Sequence, residues 1–314
     1  MRRLPQNLKN SKPLQYKRPK KNISGVLLLD KPLGFSSNQA LQKIKWLLQA
    51  AKAGHTGTLD PLATGLLPLC FGEATKFAHY LTDADKTYVA TIKLGVTTTT
   101  GDAEGDVLST HSVQVDQRQF ELACQQFVGE ISQTPPMYSA LKHEGKALYE
   151  YARAGVEIER KARNVNIYKI IQNAFEHDVA SITVTCSKGT YIRTLAEDIG
   201  RILGCGAHLI GLRRTATANY HIANAITLEQ FEAMTTEQRE LALLPMDSAV
   251  EFLPAITLDA DSTYYLQQGQ PVWRGGVIPH GLLRLYSEQQ VFLGLGELAS
   301  DGKIAPKRLI VKND

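Results

Sequence analysis

The chain has 314 residues, 43% of them hydrophobic and 21% charged, with a formal net charge of +4. That is enough apolar material for a substantial core divided between two domains. No run of eighteen apolar residues occurs, and the basic start leads into polar residues, so neither a membrane helix nor a secretory signal is expected and cytoplasmic residence is the default.

The first 22 residues carry Arg2, Arg3, Lys9, Lys12, Lys17, Arg18, Lys20 and Lys21 and no acid. Taking those eight charges from +4 leaves −4 for the rest, so the folded body is not globally basic. Residues 1–22 read as a disordered tail, acting either as a solvated arm or as a salt-dependent, sequence-blind attraction for phosphates.

Gly25 to Leu29 reads as a buried strand and Asp30 to Gly34 as a turn. Ser36, Ser37 and Asn38 then offer caps for a helix with Leu41, Ile44, Leu47 and Leu48 on one face. The run GHTGTLDPLATGLLPLCFGEATK, Gly54 to Lys76, places Asp60 in a glycine-punctuated turn directly before Pro61. Asp-Pro is a common helix start, with the Asp as N-cap and the Pro as first helical residue. The surrounding His55, threonines and glycines are not needed by a cap; they suit a carboxylate held ready for chemistry, with room for another molecule to approach.

Ala74, Phe77, Ala78 and Leu81 fit one amphipathic helix, and Lys86 to Gly95 alternates as a strand with Tyr88, Ala90, Ile92 and Leu94 on one face. Thr97 to Asp106 is expected as a loop whose acids lack EF-hand spacing. A helix around Phe120 to Val128 precedes Gln133 to His143, which continues through Tyr149 to Arg153. There aromatics interleave with Lys142, Lys146 and Arg153, a pattern that suits RNA contact and that surface helices also show.

Ile182, Val184 and Cys186 alternate as a strand, Ser187 to Gly189 turns, and a helix from Thr190 carries an apolar stripe through Ile192, Leu195, Ala196, Ile199, Ile202 and Leu203. Tyr191 and Arg193 fall in its first turn. An arginine there opposes the helix dipole, which implies either an anionic partner or plain solvation. Beyond Glu251 the composition shifts to short strands such as Leu283 to Tyr286 and Val291 to Leu295. The four cysteines, Cys70, Cys124, Cys186 and Cys205, form no CxxC pair and no HxxxH pair occurs, so buried reduced thiols are expected and a metal site has little support.

The strings KPLGFSSN, GHTGTLDPLATGLLPLCFGEATK, SKGTYIRTLAEDIG and GCGAHLIGLRR, in this order and spacing, resemble the TruB family of tRNA pseudouridine synthases. The resemblance implies an α+β pseudouridine-synthase fold with a central mixed, largely antiparallel sheet flanked by helices and loops. The catalytic domain would span 23–248, with an RNA-clamping thumb at about 134–153. A small, β-rich, PUA-like RNA-binding domain would span 251–314, where the match is looser and Lys307 and Arg308 lie near the last strand. It further implies isomerisation of uridine 55 in the T arm of tRNA to pseudouridine, by a monomer that takes the T stem-loop as partner and needs no cofactor and no metal. A non-catalytic tRNA-binding or RNA-folding protein and a base-releasing glycosidase are the competing readings.

Residue by residue, the resemblance makes Asp60 the catalytic carboxylate and Arg193 its countercharge. Tyr88 stacks on the target base and is a candidate to take the C5 proton. His55 fills the vacated position or touches the flipped nucleotide, Leu212 packs beneath the base, and Tyr191 joins the substrate-binding set. Lys31 either contacts RNA or supports the Asp60 loop from behind, while Arg213 and Arg214 are candidates for backbone phosphates.

Overall fold

The computed structural model describes residues 20–277 and 279–311. Strand β1 (Gly25–Lys31) is buried on both faces: Leu27 and Leu29 enter one apolar core, Val26 and Leu28 a second. Helix α1 (Ser37–Leu47) starts at Ser36, whose hydroxyl and the Gln39 side chain cap each other's backbone, and it buries Ala40, Leu41 and Ile44 in the first core. After β2 (Ala53–His55) and β3 (Ala63–Phe71), the stretch expected as one helix divides into a 3₁₀ turn, Gly72–Lys76, and α2 (Ala78–Asp83).

In β4 (Lys86–Leu94) every second residue is buried, as the alternation requires. The loop read over Thr97 to Asp106 lies within a hairpin of β5 (Val96–Thr98) and β6 (Val107–Thr110). The chain continues through α3 (Gln117–Gln125), β7 (Gly129–Gln133), the short hairpin β8 (Lys142–His143) and β9 (Lys146–Ala147), and α4 (Leu148–Arg153). Then come β10 (Arg163–Glu176), β11 (Val179–Cys186), α5 (Ile192–Ile202), β12 (Ala207–Thr217), β13 (Tyr220–His221) and β14 (Ile226–Thr227). Helix α5 begins at Ile192 rather than Thr190, with Tyr191 in extended geometry at its cap.

Among the described residues, ten strands form one sheet in the order β14-β1-β3-β12-β4-β11-β10-β7, with β2 on β3 and β13 on β12. Only β1 with β14 and β3 with β12 run parallel, so the sheet is mixed and largely antiparallel. Helices α1, α3 and α5 cover one face of it through Ile44, Phe120, Leu195 and Ile199. The parallel contact of β3 with β12 needs a glycine: Gly65 has φ of +101°, and a Cβ there would sit 2.3 Å from the carbonyl oxygen of Arg214.

Two short helices, α6 (Leu228–Ala233) and α7 (Thr236–Leu241), lead to a four-stranded sheet of β15 (Ala255–Leu258), β16 (Leu282–Ser287), β17 (Phe292–Leu298) and β18 (Ile304–Leu309). Helix α8 (Ala260–Gln267) interrupts the run of short strands read from the sequence. This sheet docks on the larger one through a shared apolar cluster in which Phe77 meets Phe292 at 5.6 Å between ring centroids. Polar ties reinforce it: Lys76 Nζ donates to the Leu309 carbonyl at 2.9 Å and Tyr286 Oη to Asp247 at 2.6 Å.

All four cysteines are buried and unpaired. Of the basic N-terminal stretch, Lys21 is held by the fold: its N–H donates to the Gln49 carbonyl at 2.8 Å and its ammonium meets Glu240 at 2.7 Å. Residues 1–19 of the expected tail lie outside the described residues. Among the described residues, no helix is long and apolar enough to cross a membrane.

Candidate active site

The turn between β2 and β3 carries Asp60, and no helix follows Pro61, so Asp60 is not a helix cap. Instead the Asp60 carbonyl accepts the Ala63 N–H at 3.0 Å and the chain turns directly into β3. The turn is braced from two sides. Ser37 Oγ, fully buried at the start of α1, donates to the Leu59 carbonyl at 3.1 Å and accepts the Leu59 N–H at 2.8 Å, while the Pro61 carbonyl takes the Gly34 N–H at 2.9 Å.

Lys31 lies behind this turn with no exposed surface, its ammonium donating to the carbonyls of Pro32 at 3.0 Å and Phe35 at 2.5 Å. That burial leaves it no face for RNA and fits the supporting alternative. Desolvation draws its pKa down to about 8, against the pull of Asp60, which favours the charged form.

Arg193, in the first turn of α5 and only 6% exposed, meets Asp60 Oδ2 at 3.0 Å through Nη2 and Asp102 Oδ2 at 3.3 Å through Nη1. It also donates to the carbonyls of Thr100 at 3.1 Å and Tyr138 at 2.5 Å. This explains an arginine at an unfavourable helix position: two carboxylates and two carbonyls outweigh the dipole term of about 0.3–1 kcal/mol. Burial pushes the Asp60 carboxyl above its ordinary value; Arg193 opposes that shift, and Asp102 adds to it. The countercharge therefore limits an upward shift rather than producing a depressed acid.

Asp102 was not singled out by sequence reasoning. It sits in the Thr- and Gly-rich loop between β5 and β6, nearly fully buried, where Thr100 Oγ1 donates to it at 2.5 Å and the Glu104 N–H at 3.1 Å. The loop is pinned to β12 by the bonds Leu209 N–H to Gly101 carbonyl and Ala103 N–H to Leu209 carbonyl. The one sequence signal was the arginine itself, whose fork can serve more than one acid.

Asp60, Arg193, Tyr88, Tyr191 and Leu212 all line one cavity of about 350 Å³, together with Arg214, Lys86 and the segment Ser139, Ala140 and Leu141. Tyr88 comes from β4, Leu212 from β12 and Tyr191 from the α5 cap, where Gln133 fixes its backbone by bonds of 3.0 and 3.2 Å. Burial raises the pKa of both tyrosines, and Arg214 pulls that of Tyr88 back. Lys86, also unremarked from sequence, has its ammonium on the carbonyls of Leu81, Thr82 and Ala84, and burial lowers its pKa to about 8.

His55 stands at the end of β2, outside the lining of this cavity, and its Nδ1 is buried with no hydrogen-bond partner. Burial, with Arg214 nearby, lowers its pKa and favours the neutral ring. Of the two arginines read as candidates for backbone phosphates, Arg213 keeps a partly exposed side chain while forking onto Asp30 at 2.6 and 3.1 Å, and Arg214 is 1% exposed and lines the cavity. Among the described residues, no group of three or more His, Cys, Asp or Glu side chains is arranged to hold a metal ion.

Comparison with known proteins bears on this arrangement. Residues 45–192 match the model of the TruB family pseudouridylate synthase N-terminal domain. Residues 193–251 match the tRNA pseudouridylate synthase B C-terminal domain, and 254–310 the C-terminal model of pseudouridine synthase II TruB. The chain is 62% identical over 297 residues, 95% of its length and 98% of the relative's, to tRNA pseudouridine synthase B of Methylobacillus flagellatus. To that of Pseudomonas aeruginosa it is 53% identical over 300 residues, covering 94% and 99%. Among solved structures, a chain of a Cbf5-Nop10-Gar1 complex superposes with a TM-score of 0.68 at 29% identity, covering 92% of this chain and 84% of that one. A chain of an H/ACA RNP bound to a substrate RNA containing 2′-deoxyuridine gives 0.69 at 25% identity, covering 92% and 86%. With a shared sheet, near full-length identity and family models spanning both sheets, the chain belongs to the TruB family of pseudouridylate synthases.

Proposed function

We propose that this protein isomerises uridine to pseudouridine in tRNA, at position 55 of the T arm, with Asp60 as the catalytic carboxylate. The observation that carries the reading is Arg193, which ties Asp60 to a buried second acid at the edge of a cavity walled by Tyr88, Tyr191 and Leu212. A cavity of about 350 Å³ suits one nucleobase and its sugar rather than a stacked helix. The target base must leave its stack, which costs a few kcal/mol, and stacking on an aromatic returns about 1 to 3 kcal/mol per base.

In this reading Tyr88 offers its ring to the flipped uracil and Leu212 packs against it. Tyr191 closes the wall beside Asp60, and His55, neutral and outside the cavity, meets the RNA on the approach side. Asp60 acts at the sugar, either attacking C1′ or removing the C2′ proton, and the N1 to C1′ bond breaks before C5 rejoins C1′. The 134–153 segment, whose Ser139 to Leu141 form one wall, clamps the RNA arm, and the four-stranded C-terminal sheet serves as a PUA-like RNA-binding domain. The T stem-loop binds to a monomer.

The test uses unmodified tRNA labelled at uracil C5. An isomerase releases the C5 label and leaves pseudouridine at position 55 without free uracil. A glycosidase releases free uracil, and a tRNA-binding or RNA-folding protein releases neither.

A further inference from the structure

Arg193, Lys86 and Arg214 line the cavity and Lys31 lies behind the Asp60 turn; of these four cations, three are committed. Arg193 serves two carboxylates and two carbonyls, the Lys31 ammonium two carbonyls, and the Lys86 ammonium three. Arg214 differs. It is 1% exposed, its Nε donates to the Leu66 carbonyl at 2.7 Å, and its Nη2 is buried with no hydrogen-bond partner. A buried guanidinium with an unspent donor is costly, and such groups gather where charge develops during a reaction.

Its position names the group it faces. Arg214 on β12 is the direct cross-strand partner of Tyr88 on β4, which puts the two side chains on one face of the sheet, and both line the cavity. Gly65 pairs with it across β3, and His55, Lys86 and Lys31 lie near enough to feel its charge; none of these offers a countercharge.

We propose that Arg214 is a positioning residue that stabilises Tyr88 as a transient phenolate while Tyr88 carries one proton from C5 to N1 of the uracil. The inference rests on the isomerase reading above. When the N1 to C1′ bond breaks, its electron pair stays on the uracil; when C5 bonds to C1′, C5 still holds its hydrogen and N1 is an imine nitrogen. Tyr88 gives its hydroxyl proton to N1, which makes the C5 hydrogen acidic, and the phenolate then takes that proton. The C5–H pair forms the C5=C6 bond, the C6=N1 π pair goes to N1, and Tyr88 ends as it began. N1 and C5 flank the same carbon, C6, so one hydroxyl can serve both. No co-reactant is consumed, and proton transfer to N1 creates a single ion pair, the N1-protonated iminium and the phenolate, the latter opposite the unspent Nη2 of Arg214.

The experiment compares wild type, Arg214→Gln and Arg214→Lys on tRNA with hydrogen or deuterium at uracil C5, with tRNA affinity as the check on folding. The expected result is near-normal binding, pseudouridine formation slowed about 10²-fold in Arg214→Gln, the scale of acid–base assistance, and less in Arg214→Lys. The slowed variants should show a primary isotope effect at C5 larger than wild type. Replacing Tyr88 by 3,5-difluorotyrosine in Arg214→Gln should recover part of the rate, because fluorine stabilises the phenolate without a cation. Wild-type turnover in Arg214→Gln, slow turnover with no added isotope effect, or no recovery by the acidified phenol would overturn the assignment. A wild-type protein that releases no C5 label would instead overturn the isomerase reading on which it depends.

Discussion

Ser37 holds both backbone polar groups of Leu59, donating to its carbonyl at 3.1 Å and accepting its N–H at 2.8 Å. One hydroxyl thus anchors the residue before Asp60 to the start of α1, so the acid is aimed by a helix rather than by the flexibility of its own loop.

Ser37→Ala should therefore lower turnover more than affinity. It leaves two buried groups of Leu59 bare, a cost of about 1 to 3 kcal/mol, readable in urea denaturation. Single-turnover pseudouridine formation should fall while tRNA affinity stays constant; an unchanged rate would mean that the turn holds its shape unaided.

Asp60→Asn should abolish turnover and leave tRNA affinity within a few-fold of wild type, because the carboxylate acts on the bond and not on docking. Its effect on stability has a sign. Burial raises the folded-state pKa of Asp60, so ionised Asp60 costs stability that appears as pH rises through the unfolded carboxylate range. The Asn variant should gain on wild type over that rise and lose the advantage in acid, which thermal denaturation at several pH values can follow.

Arg193→Gln removes the cation that restrains the Asp60 shift, so the acid limb of the rate–pH profile should move to higher pH. It also strands Asp102, which is buried, at a cost of about 3 to 5 kcal/mol. A variant as stable as wild type, with its acid limb unmoved, would show that the two acids do not share this cation.

Gly65→Ala forces a Cβ to within 2.3 Å of the Arg214 carbonyl at a φ of +101°. Separation of β3 from β12 should cost upwards of 2 kcal/mol. Because Leu212 and Arg214 travel with β12, catalysis should suffer alongside stability, measured by denaturation and turnover on the same preparation.

Deleting residues 1–19 removes six positive charges and no acid. If those charges meet phosphates, the plot of log affinity against log salt becomes shallower by roughly 0.7 to 0.9 per lost contact, with turnover at saturating tRNA unchanged. An identical slope would assign the stretch to solubility.

Much of this was legible in the chain. Strand β4, with Tyr88 on its buried face, followed from alternation, and α1 from its cap and apolar spacing, because these are local periodicities. Asp60 was ambiguous by local rules: Asp-Pro reads as a cap, and what decides otherwise is β3 starting at Ala63 and pairing with β12 far along the chain. The role of Asp102 and the burial of Arg214 stayed hidden for the same reason. An acid in a polar loop and a charged pair at Arg213 and Arg214 look solvent-facing until tertiary packing buries one member and leaves the other on Asp30. The split of Gly72 to Asp83 into two short helical pieces and the presence of α8 likewise lie beyond what spacing alone resolves.

The order of strands across the sheet carries a temporal consequence. β3 and β4 follow one another in the chain, yet β12 lies between them. A chain still being synthesised holds Asp60 and Tyr88 long before the strand that belongs between them has been made, and closure of that gap is a long-range step. The reactive arrangement is thus withheld from partly made protein, and a fragment ending before Ala207 should be inert until a separately supplied C-terminal piece fills the gap.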